Sequence, residues 1–474
     1  MLRTLRSIAP NRRYLFWIVA GIVLRALFIV FPRPVDDDTW DYLQLGHNLF
    51  HYGVYATGTG DSISPTLFRL PAYPIFLATF EQLFAHHWPN TWFNSVFITQ
   101  LIAGVTAALL LASFARRHIS PRAGEFTLAL AMLCPFTAVY VGIAMTECLT
   151  IFAISLGIYA AGRALSAHAA GSRDISALLL AGLASALAAL LRPDGVLLLA
   201  SLAGGLFYYT LRLHPPQPFP QAFRRGLAAA SIVSIVALLP LAVWALRNWE
   251  QFHVFQPLAP RYLNDPGDRP NVGFYHWMRT WSVEYESTAT VFWQVGAGPI
   301  DPDDLPARAF DSPRQRAQTL ALIAEYNQNH SISPQLDNRF AALAAERIHA
   351  HPFSYFVVVP ALRVADMLLR PRTEEFGLEV FWWPWGDHPG QTAWAILLGL
   401  INLFYVVVAA WAFLRGRVPW PWMLGAYLLL RLLMLGSIEN PEPRYTVECF
   451  PILIVAAAAA LSGSRNRQPH LPRP

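Results

Sequence analysis

The chain contains no lysine, only three cysteines and few charges of any kind. Charged residues make up 14% of its 474 positions, against roughly 25% in an ordinary soluble domain. Hydrophobic residues account for 55% and aromatics for 13%. Such a chain is too apolar for a soluble globular enzyme and too aromatic to stay disordered. With lysine missing, all 35 positive side chains are arginines, a usage that fits a coding bias. Cys134, Cys148 and Cys449 each lie in or beside an apolar stretch. Their spacing suits neither a zinc site nor a disulfide framework, which leaves them as small buried residues. There is no internal repeat, and the alanine run at 456–460 sits inside an apolar segment. The net charge of +5 does not call for a nucleic-acid partner. In a chain like this, the placement of the arginines says more than their sum.

Long hydrophobic runs are what the chain has instead. A helix that crosses a bilayer needs about 20 mostly apolar residues. Ten runs are candidates: 14–32, 91–115, 123–142, 147–165, 175–191, 195–213, 227–246, 391–414, 419–437 and 446–462. The basic N-terminus leads into the first run with no small-residue cleavage pattern, so that run reads as an uncleaved span. Two further stretches read as non-spanning. Pro71, Pro74 and Glu81 interrupt 70–86, and Arg363 with Asp366 makes 353–370 an amphipathic interfacial helix. The expected fold class is an all-α polytopic membrane protein. It would be a bundle of about ten transmembrane helices with juxtamembrane helices and a mainly helical external segment. The expected division is a transmembrane catalytic module over 1–247, an external subdomain with the interfacial helix over 248–390, and transmembrane helices with a cytoplasmic tail over 391–474. Within the external part, Leu320, Ile323 and Tyr326, then Phe340, Leu343, Ala344 and Ile348, keep helical spacing.

Arginine placement sets the expected orientation. Arg3, Arg6, Arg12 and Arg13 precede the first span, and Arg116, Arg117 and Arg122 separate the second from the third. Arg163 and Arg173, then Arg212, Arg224 and Arg225, follow in alternate loops, as do Arg415 and Arg417 and the tail residues Arg465 and Arg467. With ten spans these all share one face, which the positive-inside rule makes cytoplasmic together with both termini. The acids collect on the other face, where Asp36, Asp37, Asp38, Asp41, Glu147, Asp194, Glu439 and Glu442 all fall.

That external face carries the candidate chemistry. Asp36, Asp37 and Asp38 emerge together from the first span, ahead of an amphipathic helix with Tyr42, Leu45, Leu49 and Tyr52 on one side. Asp38 stands where an N-cap would. A carboxylate partly desolvated at the membrane surface can also serve as a general base, and an Asp-x-Asp pair can hold a divalent cation. Composition does not separate these, and no residue set is assigned to a metal. Arg69 precedes a proline-kinked stretch that contains Tyr73, and its planar fork suits a phosphate or an interfacial lipid headgroup. Glu147 opens a span, where an ionisable group is a functional candidate. Arg192-Pro-Asp194-Gly forms a turn, Arg247-Asn248 ends a span, and Arg444-Tyr445 precede the last one. Arg25 lies inside the first span, and the aspartate cluster is its nearest carboxylate in sequence.

Taken in order, these motifs resemble the GT-C superfamily of membrane glycosyltransferases. Within it they are similar to the bacterial relatives of the protein O-mannosyltransferases and the aminoarabinose lipid A transferases. Asp38 followed by Tyr42-Leu-Gln-Leu, Arg69-Leu-Pro-Ala-Tyr73-Pro, Thr146-Glu147, Arg192-Pro-Asp-Gly, Pro240 with Arg247-Asn248, and Pro443-Arg444-Tyr445 carry the likeness. Leu70 stands where the family has a proline, and Asp36 and Asp37 add acids beside the expected one. The resemblance implies a GT-C-type fold and inverting transfer of a sugar from a polyprenyl-phosphate donor to an acceptor hydroxyl outside the cytoplasm. The acceptor would be a glycan, lipid or protein, in a bacterial inner membrane. Asp38, or Asp37 in a shifted register, would be the base, and Glu147 would orient substrate. Arg69, Arg247, Arg192, Arg444 and Tyr445 would meet the donor phosphate, with Asp36, Tyr42, Tyr73 and Asp194 lining the site. The alternatives are a flippase for a lipid-linked saccharide or an inactive assembly subunit. A transporter should carry charges near the midplane and repeated halves, whereas here the charges gather at one surface.

Overall fold

The computed structural model describes residues 12–31, 37–88, 91–212 and 218–463. Nearly all regular structure in them is helical. Among the described residues, seven segments are long and apolar enough to cross a membrane: Arg12–Val30, Trp92–His118, Glu147–Ala169, Pro193–Arg212, Phe219–Phe252, Pro389–Leu414 and Pro443–Leu461. The chain is an integral membrane protein. We label its helices α1 (Arg12–Val30), α2 (Asp37–Tyr52), α3 (Ala72–Phe84), α4 (Trp92–His118), α5 (Pro121–Leu133), α6 (Glu147–Ala169), α7 (Ile175–Leu191), α8 (Val196–Arg212) and α9 (Phe219–Phe252). There follow α10 (Val272–Arg279), α11 (Pro313–Asn329), α12 (Pro334–Ala350), α13 (Val359–Leu369), α14 (Pro389–Leu414), α15 (Pro421–Gly436) and α16 (Phe450–Leu461).

Three of the ten expected spans are not among the seven. α7 and α15, at 17 and 16 residues, lie at the lower limit of about 17 residues for a bilayer-spanning helix. The run 123–142 breaks. α5 stops where Cys134 turns extended, and the helical stretch Pro135–Gly142 leaves at 60°. Pro135 has no N–H for the carbonyl of Ala131, and the stop frees that of Met132 as well. Arg25, buried in α1, donates to both, at 3.0 and 2.7 Å. The sequence suggests a carboxylate for Arg25; in the fold its guanidinium closes a broken helix end. α3, at 13 residues, is too short to span, as its prolines imply.

The chain forms two compact units. One comprises described residues from 1–268, 407–428 and 447–474; the other comprises 269–406 and 429–446. In the second, the two groups with helical spacing over 313–350 fall on two helices, α11 and α12. Ser312 and Ser333 cap α11 and α12 by accepting from the N–H of Gln315 and Leu336, each ahead of a proline at the first helical position. His330, in the left-handed region at φ 52°, ends α11. Trp277, Trp281, Ile323, Tyr326 and Phe340 fill the core between these helices and α10. Arg363 is buried there and donates to the carbonyls of Ser282 and Gly436, each at 2.7 Å.

The three native cysteines are buried, and Ser331 lies exposed in the α11–α12 turn. Ser331→Cys is therefore expected to be the one position that a membrane-impermeant maleimide labels in intact spheroplasts. Labelling that needs lysis would reverse the orientation drawn from the arginines.

Candidate active site

α2 follows the first span and begins at Asp37. Asp38 therefore lies within the first helical turn and not ahead of it, and its carboxylate is used elsewhere. Arg69 reaches it from the far side of the loop, with Nη2 2.5 Å from Asp38 Oδ1 and 2.8 Å from Asp41 Oδ2. Burial opposes the charge on Arg69, but Tyr42 and the two aspartates more than offset it and raise its pKa. The Tyr42 ring lies under the guanidinium at 5.4 Å and packs edge-on against Tyr73 at 5.2 Å.

The segment that carries Arg69 is held by main-chain contacts. Ala56–Thr57 pairs antiparallel with Ser64–Pro65 in a short hairpin. Arg247, near the end of α9, donates to the Tyr55 carbonyl at 2.9 Å and the Thr66 carbonyl at 2.7 Å, on either side of that hairpin. The Tyr55 hydroxyl donates to the Arg69 carbonyl at 3.0 Å. Asp265 accepts from the N–H of Leu67 at 2.8 Å. Arg247 thus spends its donors on the loop that presents Arg69.

A second cluster forms where three segments meet. Arg192, at the end of α7, lies 2.8 Å from Glu147 Oε1 at the start of α6. It lies 3.2 Å from Glu448 Oε1, just before α16, and 3.5 Å from Asp194 Oδ1 in its own turn. Glu147 and Glu448 are fully buried, and the Arg192 side chain is only 16% exposed. Burial again opposes the charge of Arg192, and Glu448, Asp194 and Glu147 hold its pKa well above the usual value. Gly195 lets the turn fold back, since a Cβ there would sit 2.0 Å from the Ala188 carbonyl oxygen.

Tyr42 joins the two clusters. Burial raises its hydroxyl above the ordinary tyrosine range, and Arg69, Asp38, Glu147 and Arg192 all act on it. One phenol thus sits within the field of both arginine–carboxylate groups. Tyr73 donates to Gln100 at 2.8 Å, and Gln100 in turn donates to the carbonyl of Val141 at 3.0 Å, which fixes this floor.

Asp38, Tyr42, Arg69, Tyr73, Glu147, Arg192 and Asp194 thus come together in the first unit, with Arg247 behind them. Asp36 and the side chain of Asp37 lie outside the described residues. Arg444 and Tyr445 belong to the second unit. There both pair with Glu442, the former at 2.5 Å and the latter donating at 2.6 Å. Asp41 and Glu448 went unassigned in the sequence. Asp41 had a signal in its spacing, one helical turn beyond Asp38. Glu448 lies 256 positions from Arg192 in a stretch read as a span, and nothing local marks it.

No protein-family model matches the chain, and no curated protein matches it. Solved structures do. The oligosaccharyltransferase of Archaeoglobus fulgidus, solved with a tethered acceptor peptide, shares 14% identity over 96% of this chain and 50% of its own, with a TM-score of 0.53. Its apo form gives 15% identity, 95% and 50% coverage, and a TM-score of 0.48. ArnT from Cupriavidus metallidurans, solved bound to undecaprenyl phosphate, gives 15% identity, 94% and 77% coverage, and 0.41. The chain spans about half the length of the oligosaccharyltransferase structures. What is shared at this identity is the fold alone: the chain has the helical membrane fold of that oligosaccharyltransferase.

Removing one partner of a buried ion pair strands the others, at a cost of about 3–5 kcal/mol. Arg192→Gln is expected to lower stability by that order, and Arg192→Lys by less, in thermal unfolding of detergent-solubilised protein followed by tryptophan fluorescence. An unchanged midpoint in Arg192→Gln would show that the three carboxylates do not depend on this guanidinium.

Proposed function

We propose that the protein is an inverting glycosyltransferase. It moves a sugar from a polyprenyl-phosphate donor to an acceptor hydroxyl on the non-cytoplasmic side of a bacterial inner membrane. The observation that carries this reading is the Asp38–Arg69 pair. Residues 31 positions apart meet at 2.5 Å. A base and a phosphate-binding cation side by side are what such a transfer requires. The GT-C fold and the order of the sequence motifs support the same reading.

The chemistry follows from those two groups. The acceptor oxygen attacks the anomeric carbon, and Asp38 takes its proton. The bond from that carbon to the phosphate oxygen breaks, and its electron pair leaves with the lipid phosphate. A single displacement of this kind inverts the anomeric centre. Arg69 faces the charge that develops on the departing phosphate. Without donor, Asp38 is paired with Arg69. A donor phosphate competes for the guanidinium with bidentate geometry. As the phosphate takes Arg69, Asp38 is freed for the acceptor hydroxyl. Asp41 keeps Arg69 in place during the exchange. Arg192 is the positioning partner of Glu147, and Arg247 holds the loop. The acceptor is a glycan, a lipid or a protein.

Asp38→Asn is expected to cut transfer by about 10²–10⁴-fold while leaving the unfolding midpoint near that of the wild type. Mass spectrometry of lipid-linked sugars and envelope glycans in a complemented deletion strain reads the outcome. Near-normal transfer in Asp38→Asn would remove this aspartate as the base, and loss in Asp37→Asn instead would move the role by one residue.

A further inference from the structure

One cluster of ligating side chains plays no part in the scheme above. His47 and His51 stand one turn apart on α2, so both rings leave the same face of the helix. Glu81 stands on α3 in line with Pro74, Leu77 and Ala78, the stripe that α2 packs against. Gly46 makes the approach close, because a Cβ there would already lie 3.1 Å from the Pro74 carbonyl oxygen and 3.3 Å from the Leu77 Cβ. The two imidazoles are 3.9 Å apart between ring centres. Both converge on one oxygen of Glu81, with His47 Nδ1 at 2.9 Å and His51 Nε2 at 3.4 Å. The carboxylate is only 12% exposed, whereas the rings are 52% and 45% exposed.

We propose that His47, His51 and Glu81 form a binding site for a zinc-class divalent cation that clamps α2 to α3. Three ligand atoms, one from each residue, lie within 4.8 Å of one another. A tetrahedral ion with bonds of about 2.0–2.1 Å has ligand atoms about 3.3 Å apart, so the two contacts to Glu81 are already near that edge. Two imidazole nitrogens and one carboxylate oxygen form a borderline donor set that suits Zn²⁺, and also Co²⁺ or Ni²⁺. Ca²⁺ and Mg²⁺ take oxygen ligands and are poor matches. The half-exposed rings leave the fourth position to water. The site lies along α2 from Asp38 and Asp41, and along α3 from Tyr73. A cation here fixes the relation between the helix that carries the base and the one that follows Arg69. It therefore acts as a clamp and takes no part in the transfer step.

The test uses full-length protein without a histidine tag, in detergent, stripped with a chelator and then titrated with Co²⁺ and with Zn²⁺. The expected result is one equivalent bound, a visible ligand-field spectrum of four-coordinate Co²⁺, and a rise in unfolding temperature with Zn²⁺. His47→Ala, His51→Ala and Glu81→Gln are each expected to weaken binding by more than the roughly 10–100-fold that loss of an outer-shell partner costs. His86→Ala with His87→Ala, at the end of α3, should leave it intact. Absence of a Co²⁺ spectrum and of a Zn²⁺-dependent shift in the wild type overturns the proposal without reference to any variant. Binding that survives Glu81→Gln, or that is lost with His86 and His87, overturns it as well. The readout is metal binding and stability, so it stands apart from whether Asp38 is the base.

Discussion

A guanidinium sealed among carboxylates is the constraint on which the first unit depends. Arg192 draws Glu147, Asp194 and Glu448 to within 2.8–3.5 Å, and so ties the start of α6, the turn after α7 and the approach to α16 to one point. None of these charges can be left alone at such burial, because an uncompensated ion in a low-dielectric interior costs several kcal/mol. Arginine suits this task better than lysine. Its fork offers five donors in a fixed plane and cannot be deprotonated at physiological pH. In a chain without lysine, several arginines join separate segments in this way. Arg25 closes the broken end of α5, Arg247 spans the mouth of the hairpin, and Arg363 gathers carbonyls in the second unit.

The same property gives the site its character. Arg69 is held between Asp38 and Asp41, the pairing that the proposed donor phosphate would enter with the same bidentate oxygens. Arg192 is as buried as Arg69 but is shared among three acids rather than two. Two arginines that look alike in sequence thus differ in the number of carboxylates around them. Tyr42 lies within the field of both groups.

Much of this was legible from residue order. The apolar runs gave the helical membrane architecture, the prolines of 70–86 gave a helix too short to cross, and the motifs gave seven residues that do meet. The errors have physical causes. Hydropathy counts apolar residues over a window and is blind to a backbone break, so 123–142 looked continuous although Pro135 ends α5. The spacing over 313–350 reports which faces are buried, whereas the serine caps that divide α11 from α12 lie outside the pattern.

By itself, then, the sequence determined the class of fold, the side-chain chemistry available and the stretches that could hold it. These follow from local properties: hydropathy, helical spacing, the missing N–H of proline and the fixed charge of arginine. Only the tertiary structure decided who pairs with whom. Arg25 meets carbonyls, Arg192 meets Glu448, and His47 and His51 meet Glu81 across the gap that Gly46 permits. Helix periodicity says which residues share a face. The element that the face meets, and its register along that element, are set by how closely the backbones can approach, which no single segment carries.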